Sequence, residues 1–276
     1  MQDQPIISRL GQPFVELQSI DSTNNYALDH IRKAKARHGS TFYAHEQTAG
    51  KGQRGRKWEG ESGANIAMSI VLEPRPLPVS SQFHLSACIA VAVQKFFSRY
   101  AGAGVTIKWP NDLYWMDKKA GGILIENIIA GKRKPENTRD GLPQNTDTGS
   151  YNQPVWRWAV AGIGININQT RFPDDLPNAI SLKQITGKTF STVPLAKELC
   201  DITNDLFTGL INEGFDTIYE DYNNSLYKRG ESIKLKKGDW VLTTTVKGVT
   251  TEGQLVTYDG IIESKFNYGD VIWLRE

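Results

Sequence analysis

The chain has 276 residues, 39% of them hydrophobic and 22% charged. That composition excludes a fibrous or wholly disordered chain, and the length allows one large domain with or without a small companion. Lys and Arg number 32 against 30 Asp and Glu, a net charge of +2, which argues against a chain that lives on nonspecific nucleic-acid binding.

Residues 1–10 carry Asp3 and Arg9 and lack the apolar centre of a signal peptide. Residues 14–20 predict a strand. Asp21, Ser22 and Thr23 then offer helix-capping chemistry, and Ala27, Leu28, Ile31 and Ala34 recur at helical spacing. Residues 41–46 predict a second strand, and the Gly-, Lys- and Arg-rich stretch 47–63 predicts a loop. A strand over 65–72, a proline break at Pro74, Pro76 and Pro78, and a helix over 79–100 follow. Further strands are expected at 105–109, 122–129 and 156–167. Residues 130–154 are almost devoid of large apolar side chains and predict a solvated, mobile surface insertion. Helices are expected at 195–210 and 215–226.

Gly230 marks an expected boundary, giving domains 1–229 and 230–276. Beyond it lie short β-type runs at 232–235, 240–246, 250–257, 261–266 and 271–274, separated by turn residues, as in a small barrel. The longest apolar run, within 123–129, is broken by Glu126 and Asn127 and cannot span a bilayer. The cysteines are Cys88, in an apolar helical run, and Cys200. They form no CxxC pair or disulfide framework, so a cytoplasmic chain is expected.

Gly50-Lys51-Gly52-Gln53-Arg54-Gly55 matches GxGxxG, but no long amphipathic helix follows, so a dinucleotide fold is not predicted. Gly187-Lys188-Thr189 lacks the earlier glycine of a P-loop. What the first loop offers is Lys51, Arg54, Arg56 and Lys57 on a glycine-permissive backbone. That suits a carboxylate or phosphate cradle, and equally a solvated basic turn or a nucleic-acid contact. Lys108-Trp109-Pro110-Asn111-Asp112 follows an apolar strand, and Lys119 comes seven residues after Asp112. A hairpin would bring Asp112 and Lys119 together, as a magnesium ligand beside a charge-neutralising lysine or as a surface ion pair.

Asp21-Ser22-Thr23-Asn24-Asn25, the stretch Gln47 to Trp58, Lys108 to Asp112, Lys119 with Gly122-Ile123-Leu124, and Gly162-Ile163-Gly164-Ile165-Asn166 occur in the order found in biotin protein ligases. The chain resembles that family from Phe14 to its end, the 130–154 stretch apart. The resemblance implies an α+β fold: a mixed sheet flanked by helices, like class II synthetases and lipoyl ligases, with a C-terminal SH3-like barrel. It implies a two-step reaction, in which biotin and ATP give biotinyl-5′-AMP and biotin then passes to one lysine of a biotin carboxyl carrier domain.

By the same resemblance, Ser22, Thr23, Asn24 and Gln47 bind the ureido ring of biotin, and Gly50, Lys51, Gly52, Gln53 and Gly122 complete its pocket. Arg54 and Arg56 meet phosphates and act in catalysis. Trp58, Asn111 and Asn166 seat the nucleotide, Asp112 binds Mg²⁺, and Lys119 is catalytic with the two arginines, contacting both biotin and the α-phosphate. The family's glycine loop commonly reads GRGRRG, so Lys51 and Gln53 stand where arginines are frequent, and Gln53 is expected to seal the adenylate less tightly. The Ser22-Thr23-Asn24 motif begins too early for a preceding winged helix, so a ligase without repressor function or DNA binding is expected. A monomer or homodimer without membrane attachment is expected. The nearest rival is a lipoyl or octanoyl ligase, against which the chain lacks an Arg-Arg pair. A nucleic-acid-binding module is the rival of another class.

Overall fold

Alternation along the strands decides the two faces of the main sheet. In the computed structural model, which describes residues 8–131 and 154–274, the strands of this sheet are β1 (Phe14–Ile20), β2 (Thr41–Gln47), β3 (Ile66–Leu72), β4 (Val105–Lys108), β5 (Asp112–Trp115), β6 (Lys118–Ala130) and β7 (Val155–Ile165). Their order is β1-β2-β3-β7-β6-β5-β4, with β1 and β2 parallel and every other pair antiparallel. Ile66, Met68, Ile70 and Leu72 of β3 are fully buried on one face, joined by Ile163 and Ile165 of β7 and Ile123 of β6. Burying each such side chain stabilises the fold by about 1.5–3 kcal/mol.

That face is covered by α2 (Gln82–Ala101), α4 (Thr192–Asn212) and α5 (Asp216–Asn224). Helix α2 is apolar almost all round because it lies between the sheet and the other two helices. It stops at Gly102, whose φ of 71° suits glycine and whose N–H donates to Ser98 O. The opposite face carries α1 (Thr23–Arg32) over a small cluster of Ala27, Phe42, Val71 and Val160. Helical spacing extends to Ala34, but the helix ends at Arg32 because Ala34 adopts a φ of 53°. The short helix α3 (Leu182–Thr186), stopped by Gly187, and strand β5 carry too few residues to show a period, and the sequence does not predict them.

The C-terminal strands β8 (Ser232–Lys237), β9 (Trp240–Val249), β10 (Leu255–Tyr258), β11 (Glu263–Phe266) and β12 (Ile272–Trp273) form a five-stranded antiparallel sheet in the order β11-β10-β9-β8-β12. The architecture agrees with the α+β expectation. Residues 250–254, read as part of a strand, instead turn, with Thr250 N–H donating to Gln254 O. Ile233, Leu235, Val246 and Leu255 of this sheet share one continuous core with the helices. Trp109 Nε1 donates to Gly253 O at 2.9 Å, and the Lys108 ammonium lies 5.0, 5.6 and 5.2 Å from the ring centres of Tyr114, Tyr227 and Trp273. The insertion read at 130–154 falls, apart from its ends, outside the described residues. Among the described residues no helix is long and apolar enough to cross a membrane.

Candidate active site

The face of the sheet that carries α1 has a floor of small residues. On β7, Ile163 and Ile165 turn into the core, so Gly162 and Gly164 turn the other way. They pair with Leu124 and Gly122 of β6 and with Ser69 and Ala67 of β3. The glycines are required by what lies over them. A Cβ on Gly162 would run into the Asn24 amide, and one on Gly164 into the Trp58 indole.

A chain of polar groups borders this floor. Gln47 Oε1 accepts from Thr23 N at 2.8 Å and from Thr23 Oγ1 at 3.0 Å. Ser69 Oγ lies 2.7 Å from Thr23 Oγ1 and 2.6 Å from Asn24 Oδ1. Asn24 Nδ2 donates to Glu126 Oε2 at 2.8 Å. Ser22, Thr23, Asn24 and Ser69 are buried, where hydrogen-bonded polar groups are held in fixed orientations. Ser22 is the N-cap residue of α1, but its side chain makes no capping bond, contrary to the capping chemistry read from 21–23. The N–H of Thr23 is satisfied by Gln47 instead.

The loop after β2 folds back on itself. Trp58 N–H donates to Gly50 O, Gly52 N–H to Arg56 O, and a single 3₁₀ turn over Gln53–Gly55 closes it. Gly50 has no room for a Cβ against Trp58 O. A cavity of about 400 Å³ opens between this loop and β6, lined by Lys51, Arg56, Lys57, Leu124 and Glu126 together with the loop glycines. Arg54 is not in that lining. In the left-handed region at a φ of 55°, it points to the C-terminal sheet and stacks on Tyr268 at 4.6 Å, over Gly269. Burial raises the Tyr268 phenol above its ordinary range, and the Arg54 charge partly offsets that.

At the other end of the floor, the β5–β6 hairpin brings Lys119 Nζ to 2.7 Å from Asp112 Oδ1. Both side chains are about one-third exposed, at 33% and 30%. Gly122 lies under this pair, the position of its missing Cβ 3.4 Å from Asp112 Oδ1 and 3.5 Å from Lys119 Nζ. The Lys119 backbone is clamped on both sides, its N–H donating to Asn178 O and its carbonyl accepting from Ile180 N. Asn111 and Asn166 are buried, and each donates its amide to a backbone carbonyl, of Ile123 and Ile180 respectively. Their side chains thus hold neighbouring segments of the site together. Among the described residues no group of three or more His, Cys, Asp or Glu is placed to hold a metal. Asp112 is a lone carboxylate with one oxygen engaged by Lys119, which suits a magnesium ion that brings most of its ligands as water and phosphate.

Sequence reading missed Ser69, Glu126 and Tyr268. Ser69 had a faint signal as the one hydroxyl inside the apolar run of β3, and Glu126 as a charge interrupting that of β6. Tyr268 had none, since its partner is remote in the chain. A larger groove, of about 680 Å³, runs between α5 and the C-terminal sheet and contains none of the residues singled out from sequence.

A small-residue floor thus lies between a polar chain and a cationic loop on a seven-stranded mixed sheet. Residues 16–135 match the family model described as the Biotin/lipoate A/B protein ligase family. The chain is 31% identical over 250 residues to the bifunctional ligase/repressor BirA of Salmonella typhimurium, covering 90% of this chain and 70% of that protein. It is 37% identical over 118 residues to the biotin–[acetyl-CoA-carboxylase] ligase of Paracoccus denitrificans, covering 42% and 47%. The biotin protein ligase of Aquifex aeolicus, solved in complex with biotin and ATP, superposes with a TM-score of 0.73 at 22% identity over 95% of this chain and 98% of that one. The chain belongs to the biotin protein ligase family.

Proposed function

We propose that this chain activates biotin with ATP and transfers it to a lysine of a biotin carboxyl carrier domain. The observation that carries the reading is the continuity of the polar chain with the cationic cavity: Asn24, tied through Ser69 and Thr23 to Gln47, donates to Glu126, which lines the cavity beside Lys51 and Arg56. A ureido ring offers donors and an acceptor to Gln47, Thr23, Ser22 and Asn24, and a built polar site of that kind rejects ligands lacking the ring. Lys51 and Arg56 face the carboxylate side.

In the first step a carboxylate oxygen of biotin attacks the α-phosphorus of ATP, and the bond to pyrophosphate breaks. Both reactants are anions. Lys119, fixed by its backbone bonds and by Asp112, neutralises charge where they meet. A magnesium ion held by Asp112 would supply further neutralisation of the phosphates. In the second step the carrier lysine attacks the acyl carbon and AMP leaves. Trp58 covers the floor at Gly164 and offers its ring to the nucleotide side.

The test is biotin-dependent exchange of labelled pyrophosphate into ATP by the purified chain, beside Lys119→Ala. Exchange is expected for the parent chain and a loss of about 100-fold or more for the variant. Melting temperature should hold, because the pair with Asp112 is about one-third exposed and adds little stability. Exchange driven by lipoate or octanoate and not by biotin would refute the reading in favour of the sister activity.

A further inference from the structure

Among the described residues lining the 400 Å³ cavity, Glu126 is the only acid, set among Lys51, Arg56 and Lys57. A carboxylate is the wrong charge for the wall of a pocket that receives another carboxylate. It is there because of the sheet's alternation: β6 turns Gly122, Leu124 and Glu126 to the site and Ile123 to the core.

Its two oxygens have different partners. Oε2 accepts from the buried amide of Asn24 at 2.8 Å, and Oε1 lies 3.8 Å from Lys51 Nζ. Asn24 Oδ1 is already taken by Ser69, and Asn24 Nδ2 also donates to Leu124 O at 3.4 Å, so Glu126, with the shorter bond, acts with Ser69 and Leu124 to fix which way the Asn24 amide points. The two contacts differ in strength. A hydrogen bond from a buried donor to a charged acceptor is costly to lose. The contact with Lys51 is long, and the two side chains are 41% and 31% exposed, so it is worth little and is readily exchanged.

We propose that Glu126 is a resident stand-in for the substrate's carboxylate: it holds Lys51 with one oxygen until an incoming acid takes that lysine, while its other oxygen keeps Asn24 set for the ring. This rests on the biotin reading and adds to it a residue that tunes selectivity between acid and neutral ligand. Glu126 is a positioning residue, since it acts through Lys51 and Asn24. An acid must compete with Glu126 for Lys51. An ester of the same acid has no claim on the lysine and is indifferent to that competition.

Titration calorimetry of the full chain with biotin and with biotin methyl ester tests this. Glu126→Gln keeps an acceptor for Asn24 and removes the charge. It is expected to bind biotin about 3- to 5-fold more tightly, the range of an exposed ion pair, and the ester within about twofold of the parent. Combining it with Lys51→Ala should abolish the gain. Glu126→Ala, which leaves the Asn24 amide only its longer 3.4 Å contact with Leu124 O, should weaken both ligands by about fivefold or more. Equal or weaker biotin binding by Glu126→Gln, or equal tightening of the ester, would overturn the proposal. If Glu126→Ala does not fold, the Gln variant and its Lys51→Ala combination still decide it. Absence of biotin binding by the parent chain would instead refute the biotin reading itself.

Discussion

The Trp58 indole occupies the space that a Cβ on Gly164 would need. Gly164→Ala should therefore push the ring off the floor and reduce pyrophosphate exchange by about tenfold or more, with a change in tryptophan fluorescence. Alanine is otherwise favoured over glycine in a strand by roughly 0.5–1 kcal/mol, so a loss reports the collision and not the backbone. Gly209 in α4 has open space around it and serves as the control. Gly209→Ala is expected to raise stability by about 0.5–1 kcal/mol in urea unfolding and to leave exchange unaltered.

Gln53 begins the 3₁₀ turn that closes the cationic loop. An amide there brings neither the charge nor the fork of a guanidinium to a phosphate. Gln53→Arg is expected to slow release of biotinyl-AMP in a single-turnover chase by several-fold. An unchanged release rate would show that the seal is made elsewhere.

Arg54 rests on Tyr268 and so is turned away from the cavity. A cation over an aromatic ring at a partly exposed site is worth about 0.5–1 kcal/mol. Tyr268→Ala should release the arginine and lower KM for ATP by about two- to fivefold, whereas Tyr268→Phe, which keeps the ring, should leave it alone. A raised KM in the alanine variant would show that the stacked position is the working one.

His38 provides a pH dependence of stability. Its Nδ1 accepts from Glu73 N at 3.0 Å and its ring packs on Phe207. Burial lowers its pKa below the usual 6.5, with the nearby Glu73 charge opposing. The unfolded chain thus takes up a proton that the folded chain resists, so the contribution is present above pH 6.5 and is lost as pH falls toward the lowered value. The urea midpoint should drop between pH 7 and 5.5. His38→Asn, which keeps an acceptor without a titrating ring, should flatten part of that slope. The His84 pKa is lowered too, chiefly by burial, and accounts for some of the remainder.

Much of this was legible in the sequence where the signal is local. The alternation of Gly162, Ile163, Gly164 and Ile165 already specifies a strand with a bare side and an apolar side. The spacing of Asp112 and Lys119 specifies a hairpin that can pair them. Pairings between distant segments leave no such trace. Nothing near Arg54 announces Tyr268, and nothing near Asn24 announces Glu126, because those contacts depend on strand register and on how the C-terminal sheet docks. The capping role read for residues 21–23 failed for a related reason. Ser22 leaves the first turn uncapped, and one of its free donors, the Thr23 N–H, is met by Gln47 from the next strand.

The turn that carries Asp112 is secured from the far end of the chain. The Trp109 indole N–H is satisfied by Gly253, and the Lys108 ammonium sits among rings contributed by β5, the segment after α5, and β12. Recombination that exchanged residues 232–274 for a foreign module would leave an indole donor stranded and a cation bereft of one wall, directly upstream of Asp112. An exchange that preserves this turn must therefore move it together with the terminal strands.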